Sequence, residues 1–261
     1  MRLPNSPWIL LLVSSAAMYG QRTPDSTRDA PSDPVMRIIE TARTYDEHLP
    51  NFVCKQVTHR AKDESGTGAR WKEYDSYEAE ITYFGRREGC RLLKLNGKPG
   101  KRNCRDIGGY RAEGMFASLA SWIFRPVAQT EFAPLRQEAI GSRATQVLSY
   151  HVLPEHSLWQ ASAQGKIVTK GFQGLVWAEL ATDSVVRIHA EPDADAKIQI
   201  DVEYDFVDIS GERFLLPIRA EARTSSGRSQ LRNTVDYMDF HHYVAETSVK
   251  FGESSTTAKQ K

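Results

Sequence analysis

Cysteine is scarce in this chain, with three in 261 residues (Cys54, Cys90 and Cys104) and no Cys-x-x-Cys among them. An excess of charge is also missing, since 34 Lys and Arg face 33 Asp and Glu for a formal net charge of +1. No global field therefore selects nucleic acid or membrane as partner, and any electrostatic recognition has to come from a local patch. There is no Gly-x-Ser-x-Gly elbow, no His-Glu-x-x-His and no glycine-rich phosphate loop before a helix. These absences argue against the common hydrolases, zinc proteases and nucleotide enzymes. A triad assembled from distant residues would leave no such local trace. No internal repeat of fixed period is present.

Histidine gives no metal site either. His241 and His242 are adjacent, so on a strand they point to opposite faces and share a metal only if the backbone bulges there. His48, His59, His151, His156 and His189 show no ligand spacing. Glu191-Pro-Asp-Ala-Asp195 is acidic but lacks the regular oxygen-ligand spacing of a calcium loop, and reads as a connection between strands. No metal or cofactor is expected.

What is present begins at the amino terminus. Arg2, the apolar run Trp8-Ile-Leu-Leu-Leu-Val13 and the small residues Ser14-Ser-Ala-Ala17 have the layout of a secretory signal peptide. The apolar core is well short of the ~20 residues needed to span a bilayer, and no later stretch is apolar enough to do so. No cysteine follows the run, which argues against a lipid-anchored lipoprotein. Residues 1–17 are thus expected to be a signal peptide, 18–34 a flexible mature N-terminus, 35–251 one β domain and 252–261 a disordered tail. A periplasmic or secreted location follows.

An exported chain meets an oxidising environment, which favours disulfides. Within Cys90-Arg-Leu-Leu-Lys-Leu-Asn-Gly-Lys-Pro-Gly-Lys-Arg-Asn-Cys104, a turn centred on Gly97 sets Cys90 opposite Cys104, close enough to bond. Cys54 pairing with Cys90 or Cys104, or three buried thiols, are the alternatives.

The clearest local pattern is Ile198-Gln-Ile-Asp-Val-Glu-Tyr-Asp-Phe206, with Ile198, Ile200, Val202, Tyr204 and Phe206 on one face. Period two means a strand with one buried face. After Asp208-Ile-Ser-Gly-Glu212, the alternation resumes as Phe214, Leu216, Ile218, Ala220 and Ala222, predicting a hairpin whose apolar faces coincide. Gly174–Leu180 and Val185–Ile188 flank Thr182-Asp-Ser184 as another strand, turn and strand. Further strands are expected over residues 52–59, 70–84, 130–140, 145–153, 164–170, 230–240 and 246–251. Val35, Ile38, Ile39, Ala42, Tyr45 and Leu49 recur at helical spacing, with Asp33 as N-cap, Pro34 at the first position and Pro50 as the stop. A second amphipathic helix spans Ala112 to Phe124, with Met115, Phe116, Leu119, Trp122 and Ile123 on its apolar side. Those aromatics either pack on the sheet or touch a ligand. The fold class is mainly β (α+β), a single antiparallel sheet of about ten strands covered by two helices.

One stretch is locally basic. Arg86, Arg87, Arg91, Lys94, Lys98, Lys101, Arg102, Arg105 and Arg111 face only Glu88 and Asp106. Such a patch suits anionic headgroups or an acidic envelope protein, and charged hairpins also protect edge strands from aggregation.

The order of these elements resembles the periplasmic lipoprotein-carrier superfamily of half-barrel proteins, which includes outer-membrane lipoprotein carriers and a sigma-factor regulator. The echoes are the strand, turn, strand units Gly171–Ile188 and Val202–Pro217, and Leu49-Pro-Asn-Phe-Val-Cys54 also resembles a segment of uncharacterised exported bacterial proteins. The resemblance implies a curved sheet whose concave face holds a lipid or lipoprotein acyl chain, or docks a partner. No binding residue is carried over from it. The expected lining is Phe116, Leu119, Trp122, Trp177, Tyr204 and Phe206, because aromatic side chains supply contact area on a concave face. The function expected is a non-enzymatic, hydrophobic-ligand or lipoprotein binder of the cell envelope. The rivals are an envelope protein-interaction or sensor module and a hydrolase with a distributed site around His151, His156 or His241-His242.

Overall fold

A computed structural model of the chain describes residues 33–100, 104, 107, 118–163, 166–193 and 198–243. The expected signal peptide, the strand expected over 246–251, the first part of the expected second helix with Phe116, and Lys101, Arg102 and Arg105 lie outside them. Asp33 caps the first helix, α1 (Pro34–Arg43), its carboxylate accepting from the Val35 amide at 2.9 Å, and Pro34 has no amide to leave unsatisfied. Ile38, Ile39 and Ala42 are its buried stripe. The helix stops earlier than its apolar spacing implies. The Thr44 hydroxyl donates to the Thr41 carbonyl at 3.2 Å, and His48 Nδ1 lies 2.8 Å from the Thr44 carbonyl, so side chains take the last acceptors. A single 3₁₀ turn, Tyr45–Glu47, carries the stripe onward.

The strands follow in chain order: β1 (Phe52–Asp63), β2 (Lys72–Phe84), β3 (Arg87–Leu95) and β4 (Lys98–Pro99), then the second helix α2 (Ser118–Phe124), then β5 (Glu131–Ile140) and β6 (Arg143–Val152). A small pair, β7 (Gln160–Ala163) and β8 (Lys166–Thr169), leads to β9 (Phe172–Glu179), β10 (Val185–Pro192), β11 (Ile198–Ile209), β12 (Glu212–Ser226) and β13 (Ser229–His242). All but β7 and β8 form one antiparallel sheet in the order β4-β3-β2-β1-β13-β12-β11-β10-β9-β6-β5. The first long strand pairs with the last, so β1 and β13 lock the middle of the sheet. The two edges, β4 and β5, do not pair with each other, and the result is an open, curved half-barrel. Chain running from one edge to the other between β4 and β5 carries α2, which packs on α1 over one face.

That covered face holds the main core. Phe52, Tyr83, Val152, Phe172, Val176, Ile188, Val202 and Val235 come from the sheet, and Ile38, Ile39, Leu119, Ile123 and Phe124 from the helices. Pairs of rings add specific contacts, with Phe52 stacked on Tyr83 at 5.4 Å and Phe124 on Phe132 at 5.3 Å. A second, separate cluster of Val147, Trp177 and Val186 forms on the opposite face, across β6, β9 and β10.

Three local features depart from the sequence reading. The β11–β12 ladder shifts register between Glu203 and Tyr204, so Leu215 and Pro217, rather than Leu216 and Ile218, lie opposite Phe206 and Tyr204. A bulge of one residue exchanges the faces of everything beyond it, so the two apolar faces coincide only on one side of it. β1 runs on to Asp63 because its polar end is itself satisfied. Asp63 accepts from the amides of Ser65, Ala69 and Arg70 at 2.8, 3.0 and 3.2 Å, which closes the turn into β2. Arg60 is buried beside Asp75 and stands over the Tyr74 and Tyr77 rings.

The third feature concerns the disulfide. Cys90 and Cys104 are bonded, with Cα atoms 5.7 Å apart, but not through the hairpin register expected. The β3–β4 ladder pairs Leu95 with Lys98 and Lys94 with Pro99 around a two-residue Asn96-Gly97 turn, which is out of step with a turn centred on Gly97. Continued, that register would set Cys90 opposite position 103 instead of Cys104. Cys54 is a buried free thiol, and burial, with Glu88 adding to it, pushes its pKa up. Replacing both bonded cysteines by serine is expected to cost about 3 kcal/mol of stability in the chain-entropy account of a loop this short. Alkylation of the native, unreduced protein should leave all three cysteines unmodified, and denaturation without reductant should expose one. Labelling of the native protein would contradict the burial of Cys54.

Candidate functional site

The 3₁₀ turn after α1 does not lie flat on the sheet. Between it and β10, β11 and β12 is a cleft of about 320 Å³. Its walls include Ala42, Tyr45 and Leu49 from the first helical region, Phe124 from α2, Val185 and Ile188 from β10, Tyr204 and Phe206 from β11, and Phe214 and Leu215 from β12. Thr41, Thr44, His48, Ser184 and Arg213 supply its polar positions. The Arg213 guanidinium stands 5.2 Å from the Phe206 ring centroid, a cation over an aromatic face.

Two tethers hold the helical wall. Arg37 reaches from α1 to Asp183 in the β9–β10 turn, Nε to Oδ2 at 2.9 Å. Asp183 itself has a left-handed φ of 55°, a conformation Asp tolerates in tight turns. Arg43 donates to the Phe124 carbonyl at the end of α2 at 3.3 Å. At the wall itself, Tyr45 meets Tyr204 edge to face, ring centroids 6.0 Å apart. Burial pushes both phenols up, so both hydroxyls stay protonated.

Only part of the lining expected from sequence gathers here. Tyr204 and Phe206 line the cleft. Leu119 is buried in the main core, and Trp122 packs edge to face on Trp159, centroids 6.4 Å apart. Trp177 is on the outer face, where its indole donates to Glu138 and the Arg187 guanidinium lies 4.8 Å from its ring. The reason is phase. Phe172, Val176 and Ala178 of β9 face the covered side and are fully buried, which leaves residue 177 pointing away. Tyr45, Leu49, Phe124, Ile188 and Leu215 were missed as lining, although Tyr45 and Leu49 continue the α1 stripe and were read as cover for the sheet.

Other concavities are present among the described residues. One of about 540 Å³ lies between α1, the end of α2 and β5, and shares Phe124 with the first. Another, about 530 Å³, is on the outer face and is polar, built from Arg187, His189, Asp201, Glu203, Arg219, Glu221 and Arg223 around Trp177. Within it His189 Nδ1 is 3.0 Å from Asp201 Oδ2, and Arg187 donates to Asp201 Oδ1 at 2.8 Å. His151 Nε2 is likewise 2.9 Å from Asp193 Oδ2. Among the described residues neither ring has a hydroxyl hydrogen-bonded to it, and no group of three His, Cys, Asp or Glu could hold a metal ion.

The outer ion pair makes stability depend on pH. The bond to Asp201 raises the His189 pKa. Burial pushes the Asp201 carboxyl up, but the bonds from His189 and Arg187 outweigh it and the net shift is downward. The raised histidine stabilises fully below its unfolded value of about 6.5 and loses this as pH rises through its folded value; the lowered carboxylate stabilises above about 3.9 and loses this as pH falls. The pair should therefore contribute most between about pH 4 and 6.5. Denaturant midpoints across pH are expected to fall on the alkaline side in the wild type, and to lose that component in His189→Gln. An identical alkaline slope in both would remove His189 as its source.

Two of the five described members of the basic stretch, Arg91 and Lys94, are in cross-strand ion pairs. Arg91 binds Glu80 at 2.8 and 3.0 Å, and Lys94 joins Lys55 on Glu78 at 3.0 Å. Arg86 and Arg87 are exposed at the β2–β3 turn, and Lys98 at the start of β4.

No family model matches the chain, and no curated protein matches it. Solved structures do. The fold is similar to that of a LolA superfamily protein from Nitrosomonas europaea, at 14% identity and a TM-score of 0.45, over 80% of this chain and 93% of that one. It is similar to a DUF1329 family protein from Desulfovibrio piger, at 10% identity and a TM-score of 0.41, over 84% of this chain and 95% of that one. A candidate outer membrane lipoprotein-sorting protein domain from Vibrio parahaemolyticus matches at 8% identity and a TM-score of 0.39, over 82% of this chain and 92% of that one. The first is a member of the superfamily that the sequence resembles. No helix among the described residues is long and apolar enough to cross a membrane.

Proposed function

We propose that this chain is an exported cell-envelope protein that binds a hydrophobic ligand, a lipid or a lipoprotein acyl chain, in the cleft between the first helical region and β10–β12. The observation that supports this reading is the cleft itself. It lies on the covered face of a half-barrel, its walls are mainly aliphatic and aromatic, and the chain's own side chains leave about 320 Å³ of it open. Small-molecule sites are concave, mostly apolar and furnished with a few polar groups, with volumes of about 300–1,000 Å³. The tethered α1 supplies a wall that can yield at its 3₁₀ end without unfolding the sheet.

The test is native mass spectrometry of the mature protein purified from its own envelope, followed by organic extraction and lipid analysis. A bound lipid or acyl chain is the expected result. A ligand-free mass, unchanged on adding envelope lipids, would sink the proposal and turn attention to protein partners.

A further inference from the structure

The cleft is apolar along its walls and basic at its exposed rim. Among the described residues that line it there is no aspartate or glutamate, while Arg213 brings a permanent positive charge. Arg213 is exposed, and its guanidinium stands 5.2 Å from the Phe206 ring centroid. A ring face attracts the cation but satisfies none of its N–H donors. The other arginines of β10–β12 have carboxylates instead: Arg187 meets Asp201 at 2.8 Å, Arg219 meets Asp236 at 3.9 Å and Arg223 meets Glu221 at 2.5 Å. Arg213 has no such partner among the described residues. Asp208 is opposite it in the β11–β12 ladder, but the Asp208 carboxylate accepts from the Gly211 amide at 3.0 Å and forms no ion pair with the guanidinium.

The strand places this cation at one end of the apolar wall. Arg213 and Leu215 are two residues apart on β12, so they share a face and are separated by about 6–7 Å along the strand. Leu215 is opposite Phe206, and both line the cleft. An alkyl chain lying on those two side chains brings one of its ends beside the guanidinium. The remaining polar lining adds no permanent charge. Thr41, Thr44 and Ser184 are neutral, and His48 Nδ1 is already committed to the Thr44 carbonyl at 2.8 Å. The planar fork of an arginine matches two oxygens of a carboxylate or a phosphate. A volume at the lower end of the range for ligand pockets has room for one chain rather than several.

We infer that the cleft takes a single-chain amphiphile whose oxyanion, a carboxylate or a phosphate, is held by Arg213 at the β12 rim. This rests on the cleft being a ligand site, as proposed above, and adds the charge of the ligand's head to the apolar character of its chain. The chain lies along Phe206 and Leu215, and the head stays at the solvent edge, where its charge keeps part of its hydration.

The test measures displacement of an environment-sensitive dye from the delipidated mature protein by laurate, dodecyl phosphate and monolaurin, each below its micelle concentration. The three have chains of equal carbon number and differ in the head, which is a carboxylate, a phosphate monoester or a neutral glycerol ester. One or both anions should bind at least about fivefold more tightly than monolaurin, the effect of a charge-assisted bond discounted for exposure. The tighter of the two identifies the head. Raising the salt from about 0.02 M to about 0.5 M should shrink the preference, because an exposed ion pair is screened. Arg213→Gln should abolish it. Arg223→Gln, which removes the same charge from the outer groove, should keep it. Equal affinity for all three in the wild type, a preference indifferent to salt, one that survives Arg213→Gln, or one lost equally in Arg223→Gln would overturn the oxyanion subsite alone. No binding of any of the three would overturn the subsite and the ligand-binding reading together.

Discussion

Gly174→Ala is expected to destabilise the protein by more than about 3 kcal/mol, a loss confined to a short list of mechanisms of which overpacking a rigid core is one. Gly174 sits in β9 with β6 on one side and β10 on the other, directly paired with Tyr150 and Ala190. A Cβ built there would stand 1.9 Å from the His189 carbonyl oxygen, 2.8 Å from its carbon and 2.9 Å from the Tyr150 hydroxyl. Two of those three atoms are backbone. They belong to an interior strand that cannot retreat without breaking its ladder to β11. The close approach has a cause, because Tyr150 reaches over residue 174 to donate to the His189 carbonyl at 3.0 Å, and only a residue without a side chain leaves the path free. The matched control is Gly141→Ala in the β5–β6 turn. Its φ of 59° carries a conformational penalty but a Cβ there meets nothing within 4 Å. A cost of about 1–2 kcal/mol is expected at that position. Urea unfolding of both variants decides the matter. A Gly174→Ala midpoint as high as that of Gly141→Ala would mean that the strands relax far more easily than a central sheet should.

The same neighbourhood shows which features of the fold the sequence could reveal. Strict alternation in residues 198–206 located β11 and its buried side, because period two with charged alternates has one structural reading. Residues 174–178 carry no such signal. Leu175, Val176, Trp177 and Ala178 are all apolar, and an unbroken run fits either phase of a strand. Trp177 was consequently assigned to the wrong side, and only the pairing with β6 and β10 sets its phase. The bulge at Glu203–Tyr204 left one mark, Pro217, a residue confined within sheets to edges, strand starts and bulges, but the apolar run Phe214-Leu-Leu216 beyond it shows no change of phase.

The cysteine pair was found for a reason that does not hold. The two residues are bonded, but the β3–β4 ladder, with Lys94 opposite Pro99, is one residue out of step with the register that pointed to them. At the candidate site, Tyr204 and Phe206 were legible as apolar members of an alternating strand. Tyr45 and Leu49 were legible as one helical stripe, but their spacing gave no sign that the helix ends at Arg43 and that its continuation stands off the sheet. That gap is a tertiary property, set by where Arg37 and Arg43 tie the helix down.

Leu215→Trp is expected to weaken lipid binding by at least about tenfold, the equivalent of 1.4 kcal/mol, while changing stability by less than about 1.5 kcal/mol. Leu215 is opposite Phe206 across the β11–β12 ladder, and both line the cleft. It is only partly buried, so a larger side chain can grow into open space instead of displacing packed atoms. An indole there would occupy much of a volume of about 320 Å³ and exclude a chain from it. The partner variant is Trp177→Phe. It removes the indole bond to Glu138 and leaves a smaller ring beneath Arg187 on the outer face, and should lower stability modestly while leaving lipid affinity unchanged. The two substitutions distinguish the two assignments of the binding surface. Loss of binding in Leu215→Trp with retention in Trp177→Phe places the ligand between the 3₁₀ turn and β12. The reverse pattern would move the ligand to the outer groove around Arg187 and Asp201, a polar surface on which an acyl chain finds no apolar wall.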